Sequence, residues 1–276
     1  MLQFAPSTYH AAKTRPPSQR SIDDEAFKAD IARVHRSAHH GVYGVEKVWW
    51  QLQREGLDIG RDRVARLMGE LGLSGAVRGG PKTRTTTPGA EADRPADLVK
   101  RHFHAEAPNR LWVADLTYVW TWSGFAYTAF ITDVYARYIV GWRVATSLAA
   151  DNALDALEMA IWTRRGQALE RLVHHSDRGV QYLAIVYTER LADAGVAPSV
   201  GSKGDSYDNA LAETVNGLYK AECTIPRGPW RDAAELEIAT AEWVEFHNKQ
   251  RLHGSLDRMT PAEFEAAYWA GEHRAP

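Results

Sequence analysis

The fold class is decided by a run of β-branched and aromatic residues, Leu111-Trp112-Val113-Ala114-Asp115-Leu116-Thr117-Tyr118-Val119-Trp120-Thr121-Trp122, which is typical of a buried strand. Asp115 places a carboxylate in the middle of this run. An ionised carboxylate in the interior of a sheet costs several kcal/mol unless it is paired or binds a cation. The sequence therefore predicts a positively charged partner at Asp115.

Two further acids lie in other predicted elements. Asp177 ends the short apolar stretch that begins at Leu172, and Glu213 follows after thirty-five intervening residues, inside a predicted helix. Divalent cations such as Mg²⁺ prefer oxygen ligands and use a few carboxylates together with water and phosphate. We therefore interpret Asp115, Asp177 and Glu213 as the ligands of one metal site. The alternative is that each acid is solvated at a strand end or on a helix surface.

The apolar pattern around these acids predicts a mixed α/β sheet. Strands are expected at residues 111–122, 125–136, 138–146, 172–175 and 197–200, and helices at residues 151–165, 180–194 and 210–223. Three antiparallel strands followed by alternating helices and strands form an α/β domain. We assign residues 110–225 to this domain and residues 226–276 to a C-terminal helical extension.

The helix predicted at residues 210–223 has two different faces. The apolar face is expected to consist of Leu211, Val215 and Leu218, and the opposite face of Asn209, Glu213, Asn216 and Lys220. Glu213 and Lys220 are then roughly 10 Å apart along the axis, a spacing that suits a passing strand of nucleic acid. The alternative is an ordinary amphipathic helix with a solvated lysine. Asp205 and Asp208, in the preceding loop, are second candidates for the third ligand, although each is more simply a turn former or a helix cap.

The N-terminal part of the chain predicts a separate helical module. After an irregular lead-in at residues 1–22, residues 23–78 show three stretches with helical periodicity, and Leu71 is expected to face inward at the end of the last stretch. This order is typical of a helix-turn-helix module. Its last helix carries Arg61, Arg63 and Arg66, which are candidates for DNA contacts. The alternative is a solvated basic face. Residues 79–109, rich in Gly, Pro and Thr, are predicted to be a linker.

The composition is that of a globular protein and excludes several classes. The chain has 276 residues, of which 45% are hydrophobic and 25% charged, and no apolar run approaches the length of a membrane span. A single cysteine, Cys223, excludes an internal disulfide and a cysteine-based zinc cluster. The net charge of −2 conceals an asymmetry, with about +4 on residues 1–108 and about −6 on the remainder. We expect a cytoplasmic protein without a membrane partner, whose basic half holds DNA while its acidic half binds metal.

Three motifs resemble the DDE signature of the insertion-sequence-three family of bacterial transposases, and in particular of its OrfB product. They are Trp112-Val113-Ala114-Asp115-Leu116-Thr117-Tyr118, His174-His175-Ser176-Asp177-Arg178-Gly179-Val180-Gln181-Tyr182, and Ser206-Tyr207-Asp208-Asn209-Ala210-Leu211-Ala212-Glu213 with Lys220 beyond. The same core recurs in retroviral integrases. The similarity extends to Tyr43-Gly44 in the helical module and to a C-terminal motif, Phe246-His247-Asn248-Lys249-Gln250-Arg251-Leu252-His253, followed by Thr260-Pro261.

The resemblance implies a ribonuclease-H-like fold and metal-dependent cleavage and transfer of DNA strands at the terminal inverted repeats of an insertion sequence. It implies two Mg²⁺ or Mn²⁺ ions, with Asp115 bridging both, Asp177 completing one coordination sphere and Glu213 the other. Lys220 would contact DNA near the cut end. Asn209, a further candidate for DNA binding, and Gln181 and Tyr182 are weaker candidates for supporting the site or the strand. Arg251 would either touch DNA or brace the core. A homo-oligomer on DNA in the bacterial nucleoid, and an OrfA partner or OrfA–OrfB fusion, are also expected.

Two other functions are compatible with parts of the pattern. One is a ribonuclease-H-like nuclease that does not join strands, and the other is a DNA-binding regulator in which the acids are structural. His174 and His175 lie at a strand end and are interpreted as packing or supporting groups rather than ligands of a different metal site. Trp112, Trp142 and Trp162 fall within strand and helix patterns and are expected in the core.

Overall fold

The computed structural model describes Ser7, His10, Lys13 and residues 15–79, 104–148, 150–177, 181–182, 184–200 and 210–272. The chain divides into two compact units, Met1–Gly75 and Ala76–Pro276. Within the described ranges, no helix combines the length and the apolar character needed to cross a membrane. Most of the linker predicted at residues 79–109, and Asp205 and Asp208, lie outside the described residues.

The first unit contains three helices, α1 (Gln19–Ser37), α2 (Val45–Arg54) and α3 (Arg61–Glu70). Their shared core is apolar and fully buried, and it includes Ile31, Val34, Val48, Leu52, Val64, Leu67 and Met68. α1 begins four residues before the predicted start because the Ser18 hydroxyl accepts a hydrogen bond from the Ser21 N–H and caps the helix. Leu71, predicted to face inward, is 37% exposed because it follows the last residue of α3.

The second unit begins with strands and continues with alternating elements. In chain order these are β1 (Leu111–Thr121), β2 (Gly124–Asp133), β3 (Tyr138–Ala145), α4 (Ala150–Thr163), β4 (Val173–Ser176), α5 (Ile185–Asp193), β5 (Ala197–Val200), α6 (Ala210–Tyr219), a π-helical turn (Lys220–Thr224), a single turn of α-helix (Ile225–Arg227), α7 (Ala233–Lys249) and α8 (Pro261–Trp269). The predicted mixed α/β class is confirmed.

The five strands form one sheet in the order β3-β2-β1-β4-β5. β2 pairs antiparallel with both β1 and β3. β4 pairs in parallel with β1, and β5 pairs in parallel with β4. This order agrees with the ribonuclease-H-like core expected from the sequence. The reversal between β2 and β3 contains Arg137 with a φ of +57°, a left-handed conformation that ends the hairpin at the predicted position.

Helices cover both faces of the sheet. On one face α4 and α5 bury a core with Trp112, Ala114 and Ile131. α4 lies so close to β3 that a Cβ atom on Gly141 would stand 2.1 Å from the Ala156 carbonyl oxygen, so glycine is required there. On the other face Phe130, the cross-strand partner of Asp115, packs against aromatic rings of α6 and α7. Asp115 and α6 therefore belong to the same side of the sheet.

Three boundaries or placements differ from the predictions. α5 begins at Ile185 instead of near residue 180, because Ala184 keeps an extended backbone immediately before it. The helix predicted to run to Cys223 changes at Lys220 from α to a wider π-helical turn. Trp112 is fully buried as predicted, whereas Trp162 is 65% exposed and lies under the guanidinium of Arg165.

Candidate active site

Asp115 lies where β1 loses one of its two neighbours. β1 pairs with β2 along its whole length, but the pairing with β4 ends at Ala114 opposite Ser176. Asp115 is thus the first residue of β1 beyond β4, and Asp177 is the first residue beyond β4 itself. Because these strands are parallel and adjacent, the residue after the end of β4 lies beside Asp115 in the interior of β1, so the two acids are side by side.

The Asp115 carboxylate is held in place through both of its oxygen atoms. Oδ1 accepts a hydrogen bond of 2.8 Å from the Leu116 N–H, and Oδ2 accepts one of 2.8 Å from the Asn216 amide on α6. Asn216 is buried, with 8% of its surface exposed. Asn216 belongs to the predicted polar face of this helix, but its contact with Asp115 was not predicted.

Burial raises the pKa of the Asp115 carboxyl, and the negative charges of Asp177 and Glu213 raise it further. The hydrogen bonds from Leu116 and Asn216 act in the opposite direction, and the resulting pKa is about 7. A buried carboxyl whose pKa is raised by two negatively charged neighbours marks a region where a cation is electrostatically favourable.

Glu213, the third predicted acid, lies on α6 within electrostatic range of Asp115. It is exposed and lies one helical turn before Asn216. In the conformation of the described residues, no three His, Cys, Asp or Glu side chains stand close enough to hold a single metal ion together. The structure thus brings Asp115 and Asp177 side by side and Glu213 within electrostatic range, without a closed set of three ligands.

Two polar atoms near the acids allow the fit of a hydrated metal ion to be tested. The Asn216 Oδ1 and the Tyr182 hydroxyl are buried, and neither has a hydrogen-bond partner among the described residues. Burial is the main cause that raises the pKa of the Tyr182 hydroxyl, and the negative charges of Asp177 and Asp115 raise it further. An amide oxygen and a hydroxyl beside carboxylates are a donor set that suits Mg²⁺ and its water molecules. The residues present therefore fit a divalent metal ion.

Lys220 opens the π-helical turn that follows α6. Its ammonium group lies 5.4 Å from the centre of the ring of Tyr118, which is three residues beyond Asp115 on β1.

The prediction of the apolar face of α6 is partly wrong. Leu211 and Leu218 are only partly buried, and the buried residues are Ala212, Val215, Asn216 and Tyr219. α6 therefore turns a different face to the sheet from the one predicted, and Asn216 is on the face that packs against the sheet.

The other predicted DNA-contact residues have different surroundings. Asn209 lies outside the described residues. Arg61 has an exposed side chain beside Asp62. Arg63 and Arg66 both form ion pairs with Asp24 of α1, at 2.7 and 2.8 Å, so a DNA contact would have to compete with these pairs.

Arg251, predicted either to touch DNA or to brace the core, lies in the core of the second unit. Arg251 is 5% exposed, and its guanidinium is paired with the buried carboxylate of Glu222. It would have to abandon a buried counter-ion to reach DNA, so its placement favours the bracing alternative.

The two histidines before Asp177 are buried and have partners inside the protein. A ring nitrogen of His174 is 3.0 Å from the Tyr187 hydroxyl, and burial lowers the pKa of His174 to about 4. His175 Nδ1 is 2.9 Å from the Ser199 hydroxyl. These contacts agree with the interpretation of both histidines as packing groups.

We predict that Asn216→Ala lowers catalytic activity at pH 7 by about 10- to 100-fold, as expected for a group that orients a metal ligand. Because the Asn216 amide lowers the pKa of Asp115, its removal raises that pKa, and the acidic limb of the pH–activity profile moves to higher pH. A pH profile of the initial rate tests this, with Asn152→Ala on α4 as the control. An unchanged acidic limb would show that Asn216 does not tune Asp115.

Known families match both units of the chain. The model of an HTH-like domain matches residues 21–80, and two models of an integrase core domain match residues 105–206 and 194–261. Proteins of the integrase core family are metal-dependent. The catalytic core of the HTLV-2 integrase in complex with magnesium is similar in structure, with a TM-score of 0.45 and 17% identity, over 58% of this chain and 97% of that one.

Two bacterial relatives are similar over nearly the whole sequence. The putative transposase for insertion sequence element IS986/IS6110 of Mycobacterium tuberculosis is 54% identical over 276 residues, which covers 99% of each chain. The transposase for insertion sequence element IS629 of Shigella sonnei is 52% identical over 274 residues, covering 98% of this chain and 90% of the relative. The chain therefore belongs to the insertion-sequence-three family of transposases, with an integrase core preceded by an HTH-like domain.

Proposed function

We propose that this transposase cleaves and joins DNA strands at the terminal inverted repeats of its insertion sequence, with Asp115, Asp177 and Glu213 as its catalytic acids. The observation that carries the proposal is that Asp115, inside β1, lies beside Asp177, directly after β4, with Glu213 within electrostatic range on α6. Phosphoryl transfer requires little covalent chemistry from the protein, so positioning and electrostatics supply most of the catalysis.

The proposed cofactor is a pair of Mg²⁺ or Mn²⁺ ions held by the three acids. When bound, such ions stabilise the attacking and leaving oxygens of an in-line displacement at phosphorus. The chain's own residues have separate roles around them. The Leu116 N–H and the Asn216 amide fix the orientation of Asp115, and Asp115 acts in its ionised form. Neutralisation of the acids by cations favours that form near neutral pH.

We propose that Lys220 binds a DNA phosphate close to the reacting strand. Its side chain is only partly buried, and its ammonium group lies over the ring of Tyr118, on the strand that carries Asp115. The helical module would supply further contacts. Arg61 is the most accessible of its three predicted DNA-contact residues, and Arg63 and Arg66 would first have to separate from Asp24.

Lys220→Ala should weaken binding to end DNA at all sequences to a similar extent and lower the slope of log affinity against log salt by about one. Lys220→Arg retains the positive charge and should preserve most of the affinity. Fluorescence anisotropy at several salt concentrations measures both effects. An unchanged salt slope in Lys220→Ala would contradict a phosphate contact.

We also propose that the active form is a homo-oligomer assembled on DNA in the bacterial nucleoid, with an OrfA protein as a partner or as a fused segment. The basic balance of residues 1–108 supports a DNA partner for the first unit. Size-exclusion chromatography with light scattering, with and without end DNA and OrfA, distinguishes these assemblies.

The function is tested by incubating the chain, alone and with OrfA, with labelled duplexes that carry the ends of the insertion sequence, in the presence of Mg²⁺ or Mn²⁺. We expect cleaved strands and covalently joined products. Cleavage without joined products would support a nuclease. DNA binding that is the same in wild type and Asp115→Asn, with no product from either, would support a regulator.

A further inference from the structure

Four polar residues of the C-terminal motif are buried in the core of the second unit. His247, Asn248, Arg251 and His253 are each 5% exposed or less, and we refer to them as the C-terminal clamp. Burying polar and charged groups costs free energy unless they have partners. The partners of the clamp therefore indicate which parts of the chain it holds together.

Two residues of the C-terminal clamp, His247 and Asn248, form hydrogen bonds with the backbone at the start of β3. Asn248 makes two hydrogen bonds to one residue: its Oδ1 accepts from the Ile139 N–H at 2.9 Å, and its Nδ2 donates to the Ile139 carbonyl at 3.0 Å. His247 Nε2 is 3.1 Å from the Arg137 carbonyl, to which it donates. The pairing of β2 with β3 shifts register at this point, so Asn248 supplies backbone partners at an irregularity of the sheet.

A third residue of the C-terminal clamp, Arg251, binds the π-helical turn through Glu222. The Arg251 Nε lies 3.0 and 2.9 Å from the two carboxylate oxygens of Glu222, and its Nη2 lies 2.7 Å from one of them. The Trp243 indole N–H donates to the same carboxylate at 3.3 Å. Glu222 is only 4% exposed, so this ion pair is shielded from solvent.

The π-helical turn sets the direction of the residues that follow α6. A π-helical turn has more residues per turn than an α-helix, so it alters the angular positions of side chains from Lys220 onward relative to Glu213 and Asn216. Such turns are rare and need tertiary support. Here the support comes from Glu222 with Arg251 and from the Trp230 indole, which donates to the Thr224 carbonyl at 3.1 Å.

We infer that Arg251, acting through Glu222, is a positioning residue for the active site, and that the C-terminal motif serves as a brace for the catalytic helix. Arg251 contacts neither the three acids nor Lys220 directly. It maintains the π-helical turn, which places Lys220 over Tyr118 while the preceding helix presents Asn216 to Asp115. The inference rests on the proposed function, because it assigns the motif a part in that reaction.

The test compares two buried carboxylates of similar kind. Glu222→Gln removes the charge that pairs with Arg251. Glu265→Gln removes one of the two acids that face Arg164, which directly follows α4 and keeps Asp133 as its other acid. Both variants should lose stability. At a temperature where both are folded, single-turnover cleavage at saturating end DNA should fall by about 10-fold or more in Glu222→Gln. Cleavage should stay at the wild-type rate in Glu265→Gln. Affinity for end DNA should fall in Glu222→Gln, because Lys220 is displaced, and should stay near the wild-type value in Glu265→Gln.

A double variant separates positioning from stability. Glu222→Met with Arg251→Met replaces the ion pair by apolar side chains of similar length, an exchange that is often neutral or stabilising. We expect this variant to fold with near wild-type stability and to remain slow in cleavage. Wild-type cleavage by the double variant, or equal rates in Glu222→Gln and Glu265→Gln, would overturn the inference. If wild type itself yields no cleaved or joined product, the proposed function fails instead.

Discussion

Asp115→Asn should lower DNA strand cleavage and joining by more than about 100-fold and yet leave the metal-free protein more stable than wild type at pH 8. The loss of activity follows from the removal of a carboxylate that would hold the metal ions, and it should exceed the effect of losing a group that only orients a ligand. The gain in stability follows from the surroundings of Asp115, because its burial and the neighbouring acids oppose its charge.

The direction of the pH effect follows from proton linkage. The pKa of Asp115 in the folded chain is about 7, above the ordinary value of about 3.9 for an aspartate in an unfolded chain. The folded chain therefore binds this proton more tightly, and the associated stability is lost as the pH rises through 7. Asparagine carries no charge and avoids this loss. In EDTA, the melting temperature of the variant should exceed that of wild type by a few degrees at pH 8 and by less at pH 5.

The same substitution at a second aspartate serves as the control for a general effect of replacing Asp by Asn. Asp151→Asn, at an exposed position in the first turn of α4, should leave DNA cleavage and joining at the wild-type rate. If Asp115→Asn melted below wild type at pH 8, or still joined strands at the wild-type rate, Asp115 would not be the buried catalytic carboxylate described above.

Arg164→Met should cause the largest loss of stability outside the active site. Arg164 is 4% exposed and forms a two-point ion pair with Glu265 of α8, and its Nη2 lies 3.7 Å from the fully buried Asp133 at the end of β2. Removal of the arginine leaves two acids without their cation. Breaking a buried pair in this way costs about 3–5 kcal/mol. That loss corresponds to a fall in melting temperature of roughly 6–20 °C for a unit of this size.

The loss of stability should be larger at pH 8 than at pH 5. Burial raises the pKa of Asp133 to about 6 despite the opposing charge of Arg164, so the stability linked to this proton is lost as the pH rises through 6. At pH 5 Asp133 is protonated and tolerates the loss of the arginine better. Urea unfolding at both pH values measures the difference. Arg165→Met is the matched control, because the neighbouring arginine is exposed over Trp162 and should contribute about 1 kcal/mol or less. Equal losses in the two variants would contradict the role of Arg164.

Much of the fold could be predicted because local patterns decide it. The strands around Asp115 are apolar, β-branched and aromatic, and their boundaries agree with the structure to within three residues. Ser123-Gly124 and Arg137 lie at the reversals because short turns impose conformations that few residues adopt easily. The placement of Asp115 and Asp177 followed from the same patterns, since each acid is adjacent to a strand whose position was predicted.

The remaining features depend on contacts between residues that are distant in sequence. The approach of Asn216 to Asp115 joins positions separated by about a hundred residues, and no periodicity within α6 reveals it. The same is true of Arg251, whose partner Glu222 lies on another element, and of Asp24, which neutralises Arg63 and Arg66. The polar residues of one helix can reveal a functional face, but their partners appear only in the folded chain. The spacing of Asn216, three residues after Glu213, indicates only that the two side chains lie near one another on the helix surface.

The central claim is that Asp115, Asp177 and Glu213 together hold divalent ions, and Mn²⁺ binding measured by electron paramagnetic resonance tests it most directly. Mn²⁺ is titrated into wild type, Asp115→Asn, Asp177→Asn, Glu213→Gln and, as the control, Glu265→Gln. We expect saturable binding by wild type and by Glu265→Gln, and affinity weakened by at least about 10-fold in each of the three active-site variants. Binding of Mn²⁺ by all three variants with wild-type affinity would contradict the claim.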